Sequence, residues 1–320
     1  MNYENININL INAISDNLPP KTNLAFYLIE ILSISKEAAY RRLRGDVPFT
    51  FEEAAKITSN LKISLDKTIG NNSNMGAIVN LDIIRSPDYI LNYNVTLEKY
   101  IKVCDIIEHD PTSSLNEATN KLPLHLYAQY TYITKFWVSR WLHQSNNLKG
   151  TGSLDDILIP EKTIALHKLL AKKLRSIPLS IFVWDKNTFL KFIKGVSYFA
   201  KLNLLSRNDV DHIKRELFEI LDDLEIIMAN AKYPEGGKVF IYICNIPIET
   251  IYSYIESQNI NISMLRIYAI NLIDSQHPDI FQLQKDWIQS LRRYSTLIAD
   301  SSEMERVKYF EQQRIYIDSL

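Results

Sequence analysis

Between Lys36 and Arg44, four basic side chains (Lys36, Arg41, Arg42 and Arg44) face a single acid, Glu37, with Tyr40 among them. At about 100° per residue, Lys36, Glu37, Tyr40, Arg41 and Arg44 fall on one continuous arc of a helix, and Ala39 and Leu43 lie opposite, flanked by Ala38. The chemistry of that arc is recognition rather than bond-making. A guanidinium pairs with guanine through two hydrogen bonds, a carboxylate accepts from the cytosine amino group, and tyrosine and lysine suit phosphate oxygens. Ser35, with the N–H groups beside it, caps the start of the helix and supplies donors that hold a phosphate in register.

Short elements must position this arc. The pattern predicts helices at 3–17, 22–33, 35–44 and 51–61, the first two separated by Pro19-Pro20. Leu24, Leu28 and Leu32 of the second helix supply apolar packing, and the small Ala39 lets the third helix sit close against it. Gly45 suits the left-handed position that ends a helix. Thr50 and Glu53 form a capping-box pair that starts the fourth helix.

With these residues laid out, the region from about 3 to 70 resembles the lambda-repressor-like (XRE-type) helix-turn-helix family. The matching features are Leu32, Ile34 and Ser35 across the turn, the AYRRLRG helix ending in Gly45, and a helix opened at Thr50. Two positions depart from the family pattern: Ile29 and Ser33 stand where alanine and glycine are usual. Arg42 points to the packed side, where an apolar residue is usual; its stem is expected to follow the core edge and its guanidinium to reach water or a phosphate. The chain is also similar to bacterial one-component regulators that join such a head to a large C-terminal domain, a likeness resting partly on residues 285–314. The resemblance implies a homodimer docking on double-stranded DNA through Ser35, Lys36, Glu37, Tyr40, Arg41 and Arg44.

The other three quarters of the chain carry no comparable signal. With 320 residues, 46% of them apolar, and only 8 Gly, the sequence predicts a mainly α protein. The expected division is a head at 1–70, a linker at 71–76 and an α-rich regulatory and dimerising body at 77–320. Helices are expected at 87–108, 115–120, 124–145, 161–175, 187–204, 207–230, 279–299 and 303–320. The start signals are Ser206 with Asp209, Ser302 with Glu305, and first-turn prolines at Pro160 and Pro278. Residues 238–246, 250–257 and 263–271 are rich in Ile, Tyr and Val and read as one small antiparallel meander opened by Gly236-Gly237, with 178–184 a further short strand.

Net charge is −1, so binding to nucleic acid must come from a local patch. Cys104 and Cys244 lie far apart, which fits a reducing compartment; with no membrane span and no signal peptide, a cytoplasmic location is expected. The six histidines lack metal-site spacing and read as surface or partly buried polar residues. No nucleophile elbow, Walker loop or dinucleotide fingerprint appears, so neither an enzyme nor a cofactor is expected, and Lys149-Gly150-Thr151-Gly152 lacks the order of a phosphate loop. The aromatic cluster from Tyr127 to Trp141 reads as core, or as the wall of a pocket for an unknown small-molecule or peptide effector. Two other readings of residues 22–45 stay open: a helical hairpin with a solvated charged face, and a protein-interaction head that does not bind DNA.

Overall fold

The computed structural model describes residues 4–19, 22–61, 63, 65, 79–82, 84, 88–146, 152–267, 270–300 and 303–320. The stretch read as a linker, 71–76, and the start signal at Ser302 lie outside them. The chain divides into two compact units, Met1–Ile78 and Val79–Leu320.

The first unit contains helices α1 (Glu4–Asn17), α2 (Leu24–Leu32), α3 (Lys36–Leu43) and α4 (Phe51–Leu61). Its core gathers Leu10 and Ile14 of α1, Leu28 of α2, Ala39 of α3, and Ala54 and Ile57 of α4. The starts of α2, α3 and α4 are each fixed by a local polar side chain. The Asn23 side-chain oxygen Oδ1 accepts from the N–H groups of Ala25 and Phe26, opening α2. The Ser35 hydroxyl accepts from Ala38 N–H, opening α3. At α4 the Thr50 hydroxyl accepts from Glu53 N–H at 3.2 Å while the Glu53 carboxylate accepts from Thr50 N–H at 2.9 Å, the reciprocal pair the sequence predicts. Asn7 ties α1 to the connection before α4 by accepting from Phe49 N–H.

The second unit overturns the expectation of a mainly α body with a small meander. Its centre is an eight-stranded mixed sheet: β1 (Asn80–Asp82), β2 (Ser114–Thr119), β3 (Leu179–Asp185), β4 (Lys238–Cys244), β5 (Tyr252–Glu256), β6 (Asn261–Ile267), β7 (Asn271–Ser275) and β8 (Ser295–Leu297), in the spatial order β1-β7-β6-β5-β2-β3-β4-β8. Strands β2, β3 and β4 run parallel, and the flanking pairs are antiparallel. The helices are α5 (Tyr89–Ile107), α6 (Leu124–Tyr127), α7 (Thr131–Asn146), α8 (Glu161–Ser176), α9 (Thr188–Lys201), α10 (Arg207–Asn230), α11 (Pro278–Arg293) and α12 (Glu303–Asp318).

The corrections have physical causes. Residues 115–120, read as a helix, form the central strand β2: Leu, Glu and Ala favour a helix locally, but pairing with β3 on one side and β5 on the other decides the matter. The expected helix at 124–145 is interrupted between Tyr127 and Thr131, and 279–299 ends at Arg293 before β8. The 263–271 segment belongs to two strands, β6 and β7. The 238–246 strand does not join the meander. It is β4, parallel to β3, because α9 and α10 supply the long crossover that parallel pairing requires. Its run KVFIYIC is apolar almost throughout, as a strand covered on both faces must be. Gly237, at its entry, sits where a Cβ would strike the carbonyl oxygens of Arg175 and Ile177.

Both sheet faces are covered. Phe182, Trp184, Val239, Ile241 and Ile255 pack under α7 to α10 and α12 in the main core. Ala118, Val183, Cys244 and Tyr254 pack on the opposite face against Phe281, Ile288 and Leu291 of α11. The start of α10 carries the expected Ser206–Asp209 capping box, and Pro278 occupies the first turn of α11, whereas Pro160 stands one place earlier, as the N-cap of α8. Among the described residues no helix is long and apolar enough to cross a membrane.

Candidate nucleic-acid interface

Helices α2 and α3 meet through Ser33, Ile34 and Ser35. Ser33 adopts φ 53°, ψ 43°, the left-handed conformation that glycine takes most cheaply. The turn that the sequence places here therefore exists without its usual glycine. Beyond it, Ser35 returns to an extended conformation and caps α3. The far end of α3 closes tightly: Gly45 (φ 81°) donates to the Arg42 carbonyl, and Asp46 N–H donates to the Arg41 carbonyl.

Ala39 is wholly buried, and Ala38, Arg42 and Leu43 are half-buried on the packed side. Lys36, Glu37, Tyr40, Arg41 and Arg44 are all exposed, as is Ser35. The structure thus brings the five candidate side chains to one solvent-facing side of α3 and its C-terminal residue. The Ser35 hydroxyl is engaged at the helix start by Ala38 N–H, so its contribution to a phosphate is through position. Arg44 donates through Nε to the Asp46 carboxylate at 2.9 Å, with Nη2 at 2.8 Å, while both side chains stay about half in water. Such a pair is weak, and its guanidinium remains available to a competing anion.

Arg42 corrects the sequence reading. Its guanidinium does not reach for water or a phosphate: Nε donates to Glu53 Oε2 at 3.0 Å and Nη2 to Oε1 at 2.6 Å, a bidentate pair with only 15% of each side chain exposed. Partial burial works against the Glu53 carboxylate, but hydrogen bonds from Arg42 and Thr50 outweigh it and hold the carboxyl below its ordinary range. One carboxylate therefore serves both the capping box of α4 and the clamp on α3.

Of the six histidines, His125 and His167 are almost fully buried, against the expectation of surface or partly buried residues. His167 Nδ1 donates to the Thr163 carbonyl oxygen, which leaves Nε2 to accept from the Tyr93 hydroxyl at 2.8 Å. Both cysteines are buried and free, and burial pushes the Cys104 thiol up to about 12. Among the described residues no group of three His, Cys, Asp or Glu side chains could hold a metal ion. Residues 149–151 lie outside the described residues. Phe136 and Trp141 of the aromatic cluster are core.

A cavity of about 90 Å³ in the second unit went unseen in the sequence. It lies between α5, α8 and strands β2, β5 and β6, and Glu117, His125 and Arg266 are among its lining. No single spacing could have found it, because its polar residues come from elements far apart in the chain.

No protein-family model, curated protein or solved structure matches this chain.

Proposed function

We propose that the chain is a sequence-specific DNA-binding regulator of transcription that docks α3 in the major groove as a homodimer. The observation that carries this reading is the exposed arc of Lys36, Glu37, Tyr40, Arg41 and Arg44, presented by a capped helix pair whose opposite side is packed. Arg41 and Arg44 read base edges, Glu37 selects against the wrong base, and Lys36 and Tyr40 hold the backbone. No bond is made or broken. One small head with few cations binds weakly alone, so two heads about one helical turn apart, on a near-palindromic site, are needed for useful affinity.

The test is a titration of variants on a preferred and a scrambled duplex. Loss of Arg41 weakens the preferred duplex by about tenfold to a hundredfold and narrows the gap between the two. Loss of Lys36 weakens both alike and flattens the salt dependence. Equal affinity of both duplexes for the unaltered protein would rule the reading out.

A second reading has one observation in its favour. Phe26 and Phe51 stand 69% and 80% exposed on the first unit, an apolar presentation suited to a protein partner. In that case the head is a protein-interaction module that does not bind DNA, and Phe51→Ser abolishes partner capture.

A further inference from the structure

The cavity of the second unit is a box with one polar corner. Its walls are Leu97 of α5, Leu170 and Leu174 of α8, Leu115 of β2, Ile255 of β5 and Met264 of β6. At the corner, Arg266 of β6 and Glu117 of β2 line the same space, with His125 beside them. The Arg266 Nε atom is buried and has no hydrogen-bond partner; the guanidinium meets the Tyr127 hydroxyl but forms no ion pair of 4 Å or less with a carboxylate among the described residues. A guanidinium drawn into an apolar wall without an acid is costly unless an anion joins it.

Glu117 does not fill that role. Burial pushes its carboxyl up to about 7, against the pull of Arg266, so near neutrality about half of the molecules carry a protonated carboxyl there, a donor rather than a counter-charge. His125 is 97% buried in the sense that only 3% of it is exposed, it stacks on Phe182, and its Nε2 has no partner. Burial, with Arg175 adding to it, holds its imidazole well below the ordinary range, so it stays neutral.

We infer that this cavity binds a small organic monocarboxylate, its head forked by the Arg266 guanidinium and its short apolar body held between Leu97, Leu170, Leu174 and Met264. The Glu117 carboxyl, when protonated, donates to the second carboxylate oxygen, which completes the head group's hydrogen bonds. At about 90 Å³, the cavity sets the enclosed body at a few carbons. The inference stands independently of the DNA reading, since it concerns binding to the second unit alone.

The experiment is calorimetry on the full chain with isovalerate, and with isoamyl alcohol as the uncharged match, at fixed ionic strength. The expected result is saturable binding of isovalerate, about tenfold or more tighter than the alcohol. Arg266→Met removes that preference while retaining the alcohol. Should Arg266→Met fail to fold, Leu97→Phe fills the box and is expected to abolish binding of both probes. No saturable binding of isovalerate, equal affinity for acid and alcohol, or undiminished isovalerate binding to either folded variant would overturn the inference.

Discussion

Arg42 and Glu53 join the third helix to the start of the fourth by two hydrogen bonds, of 3.0 and 2.6 Å, from one guanidinium to one carboxylate. The same carboxylate closes the cap at Thr50. Helix α3 is thus held from its packed side by a polar clamp.

Removing one partner of this clamp leaves the other half-buried and unpaired. Glu53→Gln is expected to cost ~1–3 kcal/mol of stability in chemical denaturation. Because the folded-state carboxyl is held below its ordinary value, its contribution is fully present above about pH 4.5 and is lost as pH falls through the lowered value. The Glu53→Gln variant should lose that acid sensitivity, and a double-mutant cycle with Arg42→Met should show strong coupling.

Ser33 holds a left-handed conformation with a side chain attached. Ser33→Gly is expected to stabilise the protein by ~0.5–1 kcal/mol, the relief of backbone strain exceeding the added entropy of the unfolded chain. The midpoint of urea denaturation reads it directly, with an unchanged slope.

The Arg44–Asp46 pair competes with any phosphate or base for the same guanidinium. Asp46→Asn should therefore strengthen binding to the preferred duplex by a few-fold, an exposed pair being worth under ~1 kcal/mol. Arg44→Ala should weaken it by ~1–3 kcal/mol if that side chain reads guanine. Anisotropy titrations at one fixed salt concentration separate the two effects.

Glu117 gives the opposite pH behaviour to Glu53. Its folded-state carboxyl is raised to about 7 from an ordinary 4.5. Its stabilising contribution is therefore complete below about pH 4.5 and is lost as pH rises through 7, by on the order of 3 kcal/mol in all. The difference in stability between the unaltered protein and Glu117→Gln, measured across that window, should move steadily in favour of the glutamine variant.

The pattern makes α2, α3 and α4 readable because each has its own cap: Asn23, Ser35 and Thr50 are local signals. The exposed arc of α3 followed from spacing alone. Arg42 did not, since its partner lies eleven residues away on another helix. In the second unit, tertiary pairing overrides local preference. SLNEAT offers helix formers yet lies between two strands, and the parallel pairing of β3 with β4 depends on crossover helices between them. The meeting of Glu117 and Arg266 at one cavity is invisible in a linear pattern for the same reason.

The measurement that tests the central claim is selection from a random duplex DNA pool with the full-length protein, followed by titration of the enriched sequences at two salt concentrations. The predicted result is a two-fold symmetric site whose affinity falls as salt rises and collapses on combining Arg41→Ala with Arg44→Ala. A pool that stays random, or an enriched site bound equally well by that double variant, would contradict the account.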